Sequence, residues 1–207
     1  MKKIKMLIAI VYISISYTTV AQSIEFRPIA VYTFRERFPI STGDVTIQDG
    51  GTYGGEVAFV ANGKMDVNFT YLIQPTTLDI RRFPSFLGDY GNKANISFYQ
   101  LGVNRNHLLP GNDKVIPYTG IKMGVGYLNL ESDKYYDVTR FTIGLNLGVK
   151  IMLSERVGLN MLGMLQTPVS GFGLAVTAGS GGVSTGISTY SYVFQFSLGG
   201  GLVFKLK

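Results

Sequence analysis

Few side chains in this 207-residue chain are of a type that does chemistry, and their spacing narrows the choice further. The single histidine, His107, stands in "NRNHLLPGND", with no serine aligned to it. Cysteine is absent, which excludes thiol nucleophiles, disulfides and thiolate-bound zinc. A lone turn histidine does not make an acid–base pair, so no enzymatic activity, metal or cofactor is expected. Asp44, Asp49, Asp89, Asp133 and Asp137 fall in candidate loops, at spacings unlike a calcium-binding loop, and read as a solvated rim. "NFT" at Asn68 and "NIS" at Asn95 match the glycosylation sequon but lie on or beside candidate strands. One constellation remains: Glu56 with Arg27, Lys122, Lys150 and Lys205, each on the polar side of an alternating segment. If that side is enclosed, its charges need partners. Glu56 is then expected to pair with Lys122 or Lys150. Such a network would fix strand register and block the enclosed space, or it would gate protons or ions.

The segments that carry these residues alternate with period two, the signature of strands with unlike faces. Eight are readable, at residues 24–34, 53–61, 66–74, 95–104, 115–130, 141–153, 157–166 and 190–206. The sixth is the clearest. Phe141, Ile143, Leu145, Leu147, Val149, Ile151 and Leu153 line one face, against Thr142, Gly144, Asn146, Gly148 and Lys150 on the other. In the fourth segment Tyr99, Leu101 and Val103 align, but Ile96 and Phe98 fall on the polar side. Pro28 removes a ladder donor from the first segment, which places it near that strand's end. "NGKM" at 62–65 is a tight hairpin signal. Connections alternate in length. They are long at 35–52, 75–94 and 167–188, medium at 131–138, and shorter at 62–65, 105–114 and 154–156.

The first 21 residues have another character. Lys2, Lys3 and Lys5 precede an apolar run from Met6 to Tyr17, then Thr19-Val20-Ala21 before Gln22. This is the pattern of a secretory signal cleaved after Ala21, which leaves residues 22–207 as one mature domain. Removing three lysines and no acids lowers the formal charge from +6 to +3, so a nucleic-acid partner is not expected. Charged residues make up only 15% of the chain, too few to cover a water-facing surface of this size.

Alternation does not say whether the apolar face is buried or meets lipid. Three observations favour lipid. Several segments exceed the roughly 9–11 residues that cross a bilayer at a tilt. The polar faces are mainly Gly, Asn, Ser and Thr, suited to a cramped interior. The signal delivers the chain to the envelope. The expected fold is an all-β, eight-stranded antiparallel up-and-down transmembrane β-barrel, with short periplasmic turns and longer extracellular loops. Tyr32, Tyr53, Tyr127, Tyr190 and Tyr192 would form the interfacial girdle. Eight strands leave an interior that side chains fill, so an open pore is not expected.

"PYTGIKMGVGY", "ERVGLNMLGMLQTPV" and the terminal "GLVFKLK" resemble the small eight-stranded outer-membrane barrels of Bacteroidetes, of PorT-like or porin-like type. The architecture is similar to outer-membrane protein X and the barrel of outer-membrane protein A. The resemblance covers about residues 22–207 and implies an outer-membrane location. It also implies that Gly201, Phe204 and Leu206 form the signal read by the barrel assembly machinery. The chain ends on Lys207, where many such proteins end on an aromatic. Three roles stay open. The first is a structural or surface-interaction barrel whose outer loops, with exposed Phe38, Phe83, Phe86, Tyr135 and Tyr136, meet lipopolysaccharide or a protein. The others are a component of an envelope secretion or gliding-related complex, suggested by the resemblance, and a narrow solute channel.

Overall fold

The computed structural model describes residues 23–206 apart from 41–42, 83–89, 132–136, 169–174, 180–181 and 187–193. The segment read as a signal therefore lies outside the described residues, as do Phe83, Phe86, Tyr135, Tyr136, Tyr190 and Tyr192. Twelve strands follow in order: β1 (Ser23–Thr33), β2 (Glu36–Ile40), β3 (Gly43–Ile47), β4 (Gly50–Ala61), β5 (Met65–Arg82), β6 (Tyr90–Asn106), β7 (Val115–Leu130), β8 (Val138–Met152), β9 (Val157–Pro168), β10 (Ala175–Gly179), β11 (Gly182–Gly186) and β12 (Gln195–Lys205).

Eight of these close a barrel. Each of β1, β4, β5, β6, β7, β8, β9 and β12 pairs with its successor, all antiparallel, and β12 returns to β1. Closure pairs every wall strand on both sides, the condition for a sheet to stand in hydrocarbon. The short turns carry the chemistry their geometry needs. Asn62 and Gly63 both take positive φ, 52° and 66°, as the centre of the turn that the Lys64 amide closes on the Ala61 carbonyl at 3.2 Å. After β6, the Asn112 side chain accepts from the Lys114 and Val115 amides at 3.0 and 3.2 Å. Between β8 and β9, Ser154 Oγ accepts from the Val157 amide at 3.0 Å.

Alternation sorts the two faces as expected. Leu101, Met123, Leu145, Leu147 and Met161 point outward and are exposed, while Lys122, Asn146, Lys150 and Asn160 point inward and are buried. Exposed apolar side chains around a largely polar interior are the surface of a membrane-spanning barrel. Tyr32 and Tyr53 stand exposed near the upper strand ends, and the Tyr71 and Tyr99 rings meet at a 37° tilt with centres 5.0 Å apart.

Four findings differ from the sequence expectation. First, the long connections are largely strand. β2 and β3 form a hairpin whose second strand pairs with the upper part of β5, and β5, β6 and β7 rise 16–18 residues against 11–12 for β1, β4, β9 and β12. One side of the barrel therefore stands taller. Second, Phe38 is not an exposed loop residue. It packs with Val45, Leu128 and Leu130 against an apolar cluster that includes Ile47 and Leu78. Third, the interior is not polar throughout. Ile96 and Phe98 do face inward, where they join Ile29, Val31, Leu72, Leu162 and Met164 in the same cluster. Fourth, Pro28 lies mid-strand. The ladder to β12 skips Arg27 and Pro28, between the pairs Phe26–Phe204 and Ile29–Gly201, so no bond to the missing amide is needed.

Candidate functional site

Below the apolar layer, the interior holds a compact charge cluster. Arg27 on β1 is its hub. Its Nη1 donates to Glu56 Oε1 at 2.5 Å, and its Nη2 to Asp66 Oδ2 at 2.8 Å. Nε and Nη2 both donate to Glu25 Oε2, at 2.9 and 2.5 Å. A guanidinium suits the post because its fixed fork offers five donors at once. From the far wall, Lys122 Nζ on β7 donates to Glu56 Oε2 at 2.5 Å and to Thr70 Oγ1 at 2.9 Å. Lys150 on β8 reaches Glu25 Oε2 at 3.4 Å and lies 3.9 Å from Asp66 Oδ2. Three carboxylates face three cations, all six buried, so the cluster is formally neutral.

Amides and hydroxyls carry the network outward. Asp66 Oδ1 accepts from Asn68 at 2.9 Å and from Asn104 at 2.8 Å, and Asn104 Oδ1 accepts from Asn146 at 2.8 Å. Tyr118 donates to Asn160 Oδ1 at 2.8 Å, and its ring lies 5.8 Å from Lys150 Nζ. Higher up, Gln166 donates to Gln100 at 3.1 Å and Gln100 to Thr142 at 3.2 Å. Thr33 Oγ1 bonds the hydroxyls of Thr52 and Ser197 at 2.7 and 2.8 Å. Most buried polar side chains of the lumen thus bond one another, while Gln74 Nε2, Asn146 Oδ1 and Gln195 Nε2 have no partner among the described residues.

Inward glycines make room for these side chains. A Cβ on Gly102 would lie 2.7 Å from Lys122 Cγ and from Asn68 Oδ1, and one on Gly120 would lie 2.0 Å from Asn104 Oδ1. Gly102→Val is therefore expected to displace the Lys122 stem and cost about 1–3 kcal/mol by overpacking. Urea unfolding of the refolded variant followed by far-UV circular dichroism measures this.

Of the residues singled out in the sequence, the fold thus brings together Arg27, Glu56, Lys122 and Lys150. Glu56 meets Lys122 and not Lys150. Lys205 does not join them. It shares their parity but sits at the lower rim beside Glu155 and Arg156, and makes no ion pair among the described residues. Glu25 and Asp66 were missed, although a signal existed: Glu25 is two residues from Arg27, and Asp66 lies on the polar side of its segment. His107 lies in the β6–β7 connection, exposed, with Nε2 3.1 Å from Thr119 Oγ1. Gly201 packs so closely on β1 that a Cβ would lie 1.8 Å from the Pro28 carbonyl oxygen. Phe204 and Leu206 lie on the outer face, and Leu206 is exposed.

At the taller rim, the aspartates engage neighbouring side chains. Asp44 pairs with Arg37 at 2.6 Å, and Asp49 accepts from the Tyr32 hydroxyl with Arg35 3.7 Å away. Asp137 accepts from the hydroxyl of Tyr127 and from Asn129. Asp89 and Asp133 lie outside the described residues. The bond from Tyr127 is the main cause holding the Asp137 carboxyl below its usual range. A depressed carboxylate stabilises the fold above its unfolded pKa, and that contribution is lost as pH falls through the folded value. Tyr127→Phe should move Asp137 up toward the ordinary aspartate value, which a carboxyl NMR titration reads directly.

No protein-family model matches the chain, and no curated protein matches it. Solved structures do. The chain superposes on neisserial surface protein A with a TM-score of 0.55 at 12% identity, covering 88% of this chain and 97% of that one. For the outer-membrane protein OprG of Pseudomonas aeruginosa the TM-score is 0.58 at 14% identity, covering 90% and 96%. For the outer-membrane protein AlkL, determined in lipid bilayers, it is 0.56 at 14%, covering 89% and 90%. At such identities the likeness is one of fold.

Proposed function

The fold being that of small outer-membrane barrels, we propose that this chain is an integral outer-membrane protein of the same build, delivered by a signal cleaved after Ala21. In this reading its lumen is sealed and its work is done by the tall outer rim as a structural or surface-interaction barrel. The observation that carries the reading is the cross-lumen contact of Lys122 with Glu56, itself held by Arg27, which links β7 to β4 and β1 through the barrel interior. A solute path would have to break charge pairs buried on every side. Above them Leu72, Phe98, Leu162 and Met164 add apolar side chains that give a solute nothing to replace its water. The outer hairpin β2–β3 and the upper parts of β5, β6 and β7 supply a structured surface for lipopolysaccharide or a protein partner of the envelope. Gly201, Phe204 and Leu206 serve assembly in this reading. A catalytic role has no support from His107, which lies at the end away from the tall rim.

The test is planar-bilayer conductance of the refolded mature protein. The wild type is expected to be silent, and Glu56→Gln, which leaves Arg27 bound to Glu25 and Asp66, is expected to stay silent. Discrete wild-type currents would replace this reading with the narrow-channel one.

A further inference from the structure

The two ends of the barrel differ in charge balance. At the taller end, six described cations, Arg35, Arg37, Arg81, Arg82, Lys93 and Arg140, stand against six carboxylates, Glu36, Asp44, Asp49, Asp79, Glu131 and Asp137, and Arg35 and Arg37 are paired with Asp49 and Asp44. At the short-turn end Lys64, Arg105, Lys114, Arg156 and Lys205 make no ion pair among the described residues. They stand against two carboxylates, Asp113 and Glu155, a local balance of +3. Four of the five, all but Lys114, gather at two corners, each clasped by a backbone bond between strand end and turn. The Asn106 amide donates to the Lys64 carbonyl at 2.7 Å, and the Lys205 amide donates to the Arg156 carbonyl at 2.8 Å.

The first corner lies on the wall that faces lipid. Arg105 continues the outward column of Tyr99, Leu101 and Val103 and is exposed at its foot. Its register partners are Met65, next to Lys64, and Thr119, whose hydroxyl meets His107. Two cations thus occupy neighbouring backbone positions, with a hydroxyl–imidazole pair, at the lower edge of an apolar belt. At the second corner, Arg156, Lys205, Glu155 and Leu206 line a cavity of about 220 Å³. A cation at the border of hydrocarbon extends its head to the interface, where the groups of opposite charge are lipid phosphates.

We propose that this rim binds the phosphate of anionic glycerophospholipids in the leaflet that surrounds the short-turn end. The placement of Arg105 on the lipid-facing wall favours a lipid over a soluble polymer or protein, which would meet the turn tips. The proposal rests on the outer-membrane reading above only for the identity of that leaflet, the periplasmic one.

The first experiment is native mass spectrometry of the mature protein, released from nanodiscs holding equal phosphatidylglycerol and phosphatidylcholine. Wild type is expected to retain phosphatidylglycerol over phosphatidylcholine by about threefold or more at low salt, with the preference shrinking as salt rises. Lys64→Gln/Arg105→Gln/Arg156→Gln/Lys205→Gln should abolish it, whereas Arg35→Gln/Arg37→Gln should not. Equal retention by wild type, a preference indifferent to salt, or one that survives the fourfold substitution overturns the proposal. The salt series on wild type decides the matter even if the fourfold variant fails to refold. Leaflet is tested separately, since the chain has no cysteine. Asp113→Cys, exposed in the β6–β7 connection, should react with an impermeant maleimide only after the outer membrane is opened. Labelling on intact cells overturns the periplasmic assignment and leaves the phosphate result standing, so the two failures are distinguishable.

Discussion

Arg27→Ala is expected to destabilise the folded barrel by about 3–5 kcal/mol or more, the cost of removing one partner from a buried ion pair. The estimate is a lower one because Arg27 serves three carboxylates, Glu25, Glu56 and Asp66. Without it, two buried lysines face three buried acids, and one negative charge has no counterpart. Arg27→Lys keeps the charge and loses the fork, so one ammonium has to stand in for contacts made by three nitrogens. It should fall between wild type and alanine. The sharper comparison is Arg27→Met with Glu56→Gln, which restores neutrality. If charge balance is what the cluster supplies, the double variant should be more stable than the sum of the single losses predicts. The chain has no tryptophan, so urea midpoints are best followed by far-UV circular dichroism or by the gel mobility of unheated samples. An Arg27→Ala variant with an unchanged midpoint would show that water, and not Arg27, satisfies the three acids.

Face was legible in the sequence; height was not. Period-two alternation between two unlike surroundings assigns every residue of β8 to lipid or lumen, and Leu145, Leu147, Asn146 and Lys150 lie where parity puts them. Which inward residues meet depends on how far each strand is staggered around the barrel, and alternation carries no record of that stagger. Lys122 and Lys150 were equal candidates for Glu56 on parity, yet stagger sets Lys122 at its level and Lys150 beside Glu25. Lys205 has the same parity and is the register partner of Glu25, yet its side chain lines the rim beside Glu155 and Arg156 and makes no ion pair among the described residues. The outer hairpin was hidden for another reason. β2 and β3 are five residues each and include Pro39, too short and irregular to read as strands alone. They become strands because β5 continues above the barrel and offers an edge to pair with. Tertiary context also explains Ile96 and Phe98. The lumen accepts apolar Ile96 and Phe98 because Leu72 on the neighbouring strand and Leu162 and Met164 on β9 join them in one cluster.

The lipid-facing assignment makes the second large prediction, and it separates a membrane barrel from a soluble one of the same shape. Leu145 is the middle residue of β8, points outward and is 53% exposed. In water, an exposed leucine changed to arginine shifts stability by about half a kcal/mol or less. In a bilayer the same change, near the midplane, costs about 2–4 kcal/mol, and the cost declines toward the interfaces. Leu145→Arg should therefore lower the folding free energy in phospholipid vesicles by that amount. Tyr53→Arg, near the upper end of β4, should cost far less. The depth dependence is the discriminating readout, because a general loss of β-propensity would affect both sites alike. A flat response across the two positions would mean that the apolar belt does not sit in hydrocarbon. The exterior of the barrel would then have to be covered by something other than lipid.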